Sequence, residues 1–304
     1  MNIKITADST CDLSEELLRQ WNISLMPMHI LMGDDTYLDG VTIHPADVFA
    51  HVDAGGQPPR SAAANPVEYI DFFEPFAKEY DAVIHISVSA KLSSCYQNAC
   101  LAAQEYANVS VIDSENICTG QGYLVLRAAK WLRTLTPERI CMRLQNLANR
   151  VELSFVLNQL NYMAKSGRCS GVLAFGANIL GIKPSLAIID GELKVVKKYR
   201  GSLPICVGKY ITDLLDGRDD IDNSMVFISS CQPKSGCMEP SKPVCANTAS
   251  LRTSLRPTSA RPSAATPAPA PSASYLRRKF NRHSTKAALP CGEFHGSALV
   301  LSFY

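Results

Sequence analysis

Small hydroxyl and carboxylate side chains follow several short apolar runs of this chain, and together they could bind an anion. In an open parallel sheet, ligands bind at the carboxyl ends of the strands. Helix starts at the same edge add free N–H groups and the positive end of the helix dipole. Each serine alone could instead only cap a helix, but their shared edge favours a binding site. The side chains concerned are Asp8, Ser9, Thr10, Ser61, Ser87, Ser89, Ser93, Ser94, Asp113 and Ser114.

The elements that would position these groups alternate along the first half of the chain. Short β-rich runs followed by helical patterns are typical of parallel strands joined by crossover helices. The sequence therefore predicts an α/β fold with a Rossmann-like, parallel-sheet N-terminal domain over residues 1–152. The predicted strands are residues 3–7, 23–28, 82–86 and 109–112, and the predicted helices are residues 65–79 and 93–106, with others that begin near residues 12 and 136.

Three of these helix starts carry side chains that could accept hydrogen bonds from the first free N–H groups. Asn65-Pro66-Val67-Glu68 combines an Asn cap, a proline whose missing N–H costs nothing there, and a glutamate three residues on. Asp12 precedes Glu15 at the same spacing, and Ser94 precedes Gln97. We expect a side-chain cap at all three starts.

From about residue 153 the pattern predicts a second α/β domain with a mixed sheet, which extends to about residue 235. Asp190-Gly191 separates two β-rich runs and predicts a hairpin turn. A helix is expected near residues 211–215 and a strand at residues 225–229. Apolar residues of this domain could line a slot for an alkyl chain or form plain core, and they are Leu157, Leu160, Leu173, Phe175, Ile179, Leu180 and Ile182.

Residues 236–304 differ in composition from the rest of the chain. From Ser254 to Ser274, 18 of 21 residues are Ala, Pro, Ser or Thr. Such a segment cannot bury enough apolar surface to offset the entropy lost on ordering. We predict a low-complexity, disordered tail with one further strand at residues 298–303. The abrupt change also supports the hypothesis that an out-of-frame read has replaced the natural tail.

The totals exclude some classes of function. The 30 Lys and Arg residues nearly balance 28 Asp and Glu residues, and a net charge of +2 gives no basic field for nucleic acid. No apolar run approaches the length of about 18 residues that a membrane span needs, so we expect a cytoplasmic protein. The 11 cysteines include no C-x-x-C pair, and we expect reduced, mostly buried thiols.

Motifs for cofactors and catalysis are weak. Gly120-Gln121-Gly122 lacks the third glycine of a dinucleotide-binding loop. His29 and His44 lack metal-ligand spacing, and His85 lies in a predicted strand with no evident acid to orient it. We therefore expect no metal and no cofactor. One alternative is a small-molecule transferase or hydrolase that uses the serine-rich edge.

Six motifs in order resemble landmarks of the DegV family over about residues 1–235. They are Ala7-Asp8-Ser9-Thr10, Tyr37-Leu38-Asp39-Gly40, the run from Lys91 to Ala99, Asp113-Ser114, Ser166-Gly167-Arg168, and Ile182-Lys183-Pro184 followed by Asp190-Gly191. The tail differs from the family, whose members end with a Cys-x-x-Ser-Ser-His-Cys-Gly-Pro type of loop. His295 lies in a segment without that pattern, so the role of the family's loop histidine is not assigned to it.

The resemblance implies a non-catalytic carrier that holds a long-chain fatty acid, such as palmitate or oleate, between its two domains. It also implies that a separate fatty acid kinase receives the carboxylate. The hydroxyls that bind the carboxylate would be those of Ser61 and Ser93, with Ser94 beside them. Ala62 stands where the family has a serine, Ser94 replaces a glycine, and Cys95 replaces a threonine.

Two arginines complete what the resemblance implies. Arg168 and Arg200 match basic positions of the family and would face the head group or the partner. A guanidinium suits either place, because it binds a carboxylate or phosphate through two parallel hydrogen bonds.

Overall fold

The computed structural model describes residues 1–158, 168–169, 181–222, 224–232, 237–238, 242–244 and 298–303, with side chains as far as residue 229. One parallel and two antiparallel sheets confirm the predicted α/β class. In chain order the elements are β1 (Ile3–Asp8), a 3-10 turn (Ser9–Cys11), α1 (Glu15–Gln20), β2 (Ser24–Met26), β3 (His29–Met32), β4 (Asp35–Leu38), α2 (Pro45–Asp53), β5 (Arg60–Ala62), α3 (Pro66–Glu79), β6 (Ala82–Ser87), α4 (Cys95–Ala103), β7 (Val109–Asp113), α5 (Cys118–Trp131), α6 (Pro137–Ala148), β8 (Glu152–Leu157), β9 (Ile182–Ile189), β10 (Glu192–Arg200), α7 (Leu203–Leu215), β11 (Val226–Gln232), β12 (Cys237–Met238), β13 (Lys242–Val244) and β14 (Ala298–Phe303).

The N-terminal sheet contains four parallel strands in the order β2-β1-β6-β7. Strands β1 and β6 are buried along their whole length, because helices cover both faces of the sheet. Ile5 and Ile84 belong to the core shared with α5 and α6. Tyr69 and Phe73 of α3 pack with Ala99 of α4 on the opposite face. This arrangement confirms the Rossmann-like prediction and brings the carboxyl ends of the strands to one edge.

A small antiparallel sheet in the order β4-β3-β5 was absent from the sequence-based expectation. Its strands are only three or four residues long, too short for an alternating apolar pattern to identify them. The sheet bears on function because β5 carries Ser61, which pairs with Ile30 of β3.

Two of the three predicted helix caps are wrong. Asn65 and Glu68 do form the predicted capping box at the start of α3. Asp12 instead has φ 51° and ends the 3-10 turn, and Ser14 caps α1. Ser94 has ψ 2°, which is not the extended backbone that a capping side chain requires, and it makes no side-chain cap bond to α4.

The sheet of the second domain has the order β10-β9-β8-β14-β11-β12, with β13 beside β11. The pairings of its described strands are antiparallel, whereas the sequence predicted a mixed sheet. A two-residue turn joins β9 to β10, and a parallel pair would need a crossover of a dozen or more residues. The predicted hairpin, helix and strand are confirmed as β9–β10, α7 and β11.

The predicted strand at residues 298–303 is confirmed as β14, which lies between β8 and β11. The expectation that this is the one strand beyond residue 236 is wrong, because the short strands β12 and β13 also pair with β11. Most of the remaining predicted tail, residues 245–297, lies outside the described residues, so its predicted disorder stays a prediction. The domain limits at residues 152 and 235 stay predictions as well.

The turn between β9 and β10 joins the two domains. The hydroxyl of Ser89, in the loop after β6, donates to the carbonyl oxygen of Gly191 at 2.7 Å. Gly191 has φ +73°, and a Cβ at this position would lie 2.8 Å from Ser89 Oγ. Glycine therefore allows both the left-handed backbone and the close approach of the two domains.

We expect Gly191→Ala to lower the free energy of unfolding by about 2 kcal/mol, roughly half from left-handed backbone strain and half from the contact with Ser89. Gly217→Ala is the matched control, because Gly217 has the same φ of +73° and no atom within 4 Å of its Cβ position. The control should lose only about 1 kcal/mol. Urea unfolding of both variants compares them, and equal losses would show that the hairpin contact adds nothing.

Candidate functional site

A buried carboxylate connects the carboxyl end of β1 to its neighbours. Asp8 is 0% exposed. One of its oxygens accepts from Ser87 Oγ at 2.7 Å and from Val88 N at 2.8 Å. The other accepts from the hydroxyl of Tyr69 and lies 3.2 Å from His85 Nε2. Asp8 thereby holds β1, β6 and α3 in one arrangement.

The ring of His85 has both nitrogens occupied in this network. Nε2 contacts Asp8, and Nδ1 lies 3.0 Å from Thr6 Oγ1. Burial opposes ionisation of Asp8, but hydrogen bonds from His85, Tyr69 and Ser87 outweigh it, so the pKa of Asp8 lies below its ordinary value. The expectation that no acid orients His85 is wrong, and the reason is that Asp8 lies 77 positions away in the chain. His85 therefore stabilises the fold and is not positioned to activate a serine.

The start of α4 differs from the start of α3. Ser93 Oγ accepts from Cys95 N at 3.3 Å and donates to Cys95 Sγ at 3.1 Å. Ser94 makes no side-chain cap bond, whereas Asn65 accepts from two backbone N–H groups of α3. The first turn of α4 therefore keeps donors that an external anion can take, and α3 does not.

Ser61 lies on a segment that adjoins α4. It occupies an exposed position on β5, and the chain continues through Ala64, whose carbonyl oxygen accepts from Asn98 Nδ2 of α4 at 2.7 Å. Met28, just before β3, makes a second connection, because Cys95 Sγ lies 3.2 Å from its sulfur. The small sheet that carries Ser61 is thus joined directly to the helix that follows Ser93.

An apolar cluster lies between the two domains next to Ser93. Leu92 packs against a cluster that includes Phe155, Leu157 and Leu186 of the second-domain sheet. Successive strand residues face opposite sides, so this surface is the one turned away from α7. Leu92, three residues before α4, therefore links the start of that helix to a buried apolar cluster.

The other predicted site residues are placed as follows. Leu157 is buried in the cluster, and Ile182 is half-buried at the start of β9. Arg168 is exposed and precedes Cys169, a member of the cluster, while Arg200 is exposed at the end of β10. Outside the described residues lie Leu160, Leu173, Phe175, Ile179 and Leu180.

Several hydroxyls of the predicted edge are bonded within the protein. Ser9 Oγ donates to Asp39 at 2.7 Å, and Thr10 Oγ1 donates to Gln121 at 2.8 Å. A buried hydroxyl needs such a partner, so the fully buried hydroxyls of Ser87, Ser89 and Ser114 serve the fold. Ser93 Oγ is also bonded, to Cys95, but Ser93 is partly exposed and Ser61 and Ser94 are exposed, so these three remain the binding candidates. The bonded hydroxyls are those of Ser9, Thr10, Ser87, Ser89 and Ser114.

Gly120-Gln121-Gly122 lies inside α5 rather than in a phosphate-binding loop. A Cβ at Gly122 would lie 2.4 Å from the carbonyl oxygen of Cys11. The glycine therefore allows α5 to approach the turn after β1, which accounts for the motif without a dinucleotide.

Among the described residues there is neither a cluster of metal ligands nor a helix that could span a membrane. These residues contain no group of three or more His, Cys, Asp or Glu side chains arranged to hold a metal ion. Within that same part of the chain, no helix combines the length and apolarity needed to cross a bilayer. The seven cysteines whose side chains the structure describes are free thiols, and four of them are buried.

Comparison with known proteins decides the family. A family profile described as "Uncharacterised protein, DegV family" matches residues 2–223. The chain belongs to the DegV family. A DegV domain-containing protein of Clostridium perfringens is 34% identical over 203 residues, which are 66% of this chain and 73% of that protein. The predicted resemblance is confirmed, and the profile match ends before residue 235.

Solved DegV structures share the fold. A DegV family protein from Thermus thermophilus, described as binding fatty acid, is 28% identical, with a TM-score of 0.65 over 73% of this chain and 80% of that one. A stearic acid-binding protein from Eubacterium ventriosum is 26% identical, with a TM-score of 0.67 over 75% of this chain and 82% of that one.

We expect Asp8→Asn to lower the free energy of unfolding by about 3 kcal/mol at pH 7, because it removes a buried charge that several donors stabilise. The folded-state pKa of Asp8 is lowered, so its ionised form stabilises the fold above the unfolded pKa of about 3.9. That contribution is lost as the pH falls further through the folded pKa. The difference between wild type and variant should therefore narrow in acid.

Urea unfolding at a series of pH values measures this difference. Asp81→Asn is the control, because that carboxylate is 58% exposed and should change stability by less than about 0.5 kcal/mol. A gap between wild type and Asp8→Asn that stays constant into acid would contradict an ionised, buried Asp8.

Proposed function

We propose that this protein binds a long-chain fatty acid, such as palmitate or oleate, between its two domains. Ser61 and Ser93 donate hydrogen bonds to the carboxylate, and Ser94 lies beside them at the start of α4. The main support is the start of α4, which the Ser94 side chain does not cap, close in the chain to Leu92 of the apolar cluster. The protein acts as a carrier and not as an enzyme.

The relatives support the class of ligand. The Thermus thermophilus and Eubacterium ventriosum proteins are described as binding a fatty acid and stearic acid, respectively. They match this chain over 73% and 75% of its length. The same class of ligand fits a site with donors at one end and an apolar surface beside it.

The carboxylate needs donors, and the start of α4 supplies them. Ser93 Oγ already accepts from Cys95 N, so its own proton is what it offers to a ligand. The first-turn N–H groups and the helix dipole also favour negative charge at this place. Hydrogen bonds to a charged acceptor are roughly twice as strong as neutral ones.

The alkyl chain needs a dry surface. Each buried CH₂ contributes about 0.8 kcal/mol, so a tail of about sixteen carbons gains on the order of 10 kcal/mol before the costs of binding. The surface that includes Phe155, Leu157 and Leu186 begins at Leu92, one residue before Ser93. We therefore place the tail of a fatty acid held at Ser93 along this buried cluster.

A partner protein completes the proposed function. We assign this cytoplasmic carrier the role of presenting the carboxylate to a separate fatty acid kinase. Arg168 adjoins the apolar cluster through Cys169, which suits a position at the phosphoryl-transfer face. Arg200, exposed at the end of β10, is assigned to head-group or partner contacts, because a guanidinium binds carboxylate and phosphate alike.

Ser61→Ala combined with Ser93→Ala should weaken palmitate binding at least about tenfold, because two charge-assisted hydrogen bonds are lost. Ser110→Ala is the control, because Ser110 is exposed on β7, outside the site. Displacement of a fluorescent fatty acid by palmitate measures each dissociation constant. Unchanged affinity in the double variant would contradict the assignment of these serines.

Lipid extraction tests the ligand class directly. Mass spectrometry of the purified protein should detect a long-chain fatty acid such as palmitate or oleate. Ester turnover by the isolated chain, abolished by Ser93→Ala, would instead support the alternative of a hydrolase. We expect no turnover, because both hydrogen bonds found for Ser93 Oγ are to Cys95 and not to a general base.

A further inference from the structure

Cys95 forms a hydrogen bond with the Ser93 hydroxyl, the group that we assign to the carboxylate. The Ser93 hydroxyl donates to Cys95 Sγ at 3.1 Å, and Cys95 N donates back to Ser93 Oγ at 3.3 Å. Cys95 is 0% exposed, whereas Ser93 is partly exposed. The serine is therefore held between the surface and a single buried thiol, and its proton rests on sulfur.

Residues of the protein core contact the Cys95 thiol and fix its position. Cys95 Sγ lies 3.2 Å from Met28 Sδ and shares a hydrogen bond with the hydroxyl of Tyr69. That hydroxyl donates in turn to Asp8. Burial raises the pKa of the Cys95 thiol to about 11, and the charge of Asp8 adds to the effect. The sulfur is therefore a neutral thiol at neutral pH, fixed in place by groups that belong to the core.

We propose that Cys95 is a positioning residue that sets the affinity for the carboxylate by keeping the Ser93 proton on a weak acceptor. Sulfur accepts hydrogen bonds weakly, so Ser93 exchanges a weak bond for a charge-assisted one when a carboxylate arrives. An oxygen in place of the Cys95 sulfur would bind the Ser93 proton more strongly. Replacing that hydrogen bond by one to the carboxylate would then add less to the binding free energy. This inference rests on the proposed function, because Cys95 acts on the ligand only through Ser93.

Two substitutions at this position separate the proposal from a packing role. Cys95→Ser places an oxygen acceptor behind Ser93 and should weaken palmitate binding about fivefold, the difference between a stronger and a weaker acceptor. Cys95→Ala removes the competing acceptor and should bind palmitate at least as tightly as wild type, since Cys95 N still orients Ser93 Oγ. A packing role predicts the reverse order, because alanine leaves the larger cavity.

The measurement is displacement of a fluorescent fatty acid by palmitate from the full-length chain. Cys100→Ser is the matched control, because Cys100 is a half-buried thiol on the same helix and should not alter affinity. Thermal unfolding of each variant verifies the fold. Cys95→Thr is a second oxygen variant whose methyl group fills space, and it should show the same loss as Cys95→Ser.

A double-mutant cycle makes the test decisive. The loss caused by Cys95→Ser should vanish when Ser93 is already alanine, because the effect passes through the Ser93 hydroxyl. A loss that persists in the Ser93→Ala background, or wild-type affinity for Cys95→Ser, would overturn this inference and leave fatty acid binding intact. Failure of the wild-type chain to bind palmitate would overturn the proposed function and this inference together.

Discussion

The buried carboxylate of Asp8 is the interaction on which the arrangement of the site depends. An unpaired buried charge costs several kcal/mol, so the donors around Asp8 cannot be lost one at a time without a large penalty. Tyr69 brings α3 to this point, and Ser87 and Val88 bring the end of β6. The loop that starts at Val88 is thereby fixed at its origin. This loop carries Ser89, which holds the second domain, and Ser93, which we assign to the ligand.

Two helix starts in the same domain illustrate how a fold leaves room for a ligand. At α3, the side chains of Asn65 and Glu68 accept hydrogen bonds from each other's backbone N–H groups, so these groups are not left for a ligand. At α4, Ser94 has the wrong backbone conformation for a cap, and Ser93 turns its proton to sulfur. The donors left at α4 cost stability in the empty protein and become useful only with an anion. The proposed site would thus trade some stability of the free chain for affinity.

The sequence predicted well those features that local interactions determine. The capping box of α3, the strands of the parallel sheet and the turn at Asp190-Gly191 all follow from neighbouring residues. It failed where distant residues decide the outcome. Asp8 and His85 meet only because β1 and β6 pair. The contact of Ser93 with Cys95 depends on the backbone conformation of Ser94. The spacing of Ser94 and Gln97 predicts a different conformation, that of a capping residue. Ser61 and Ser93 are proposed as site residues through a family resemblance, and spacing alone would not have linked them.

The second domain depends on the strand at residues 298–303, which pairs with β8 on one side and β11 on the other. Without β14, the sheet that carries Phe155 and Leu157 would end at β8 and would be separated from β11. The long connection before β14 does not prevent this pairing. The entropy cost of closing a flexible loop rises by only about 0.6 kcal/mol for each doubling of its length. A six-residue strand with two hydrogen-bonded neighbours can therefore occupy the centre of the sheet, and the composition of the connecting segment matters less to the site than the strand that follows it.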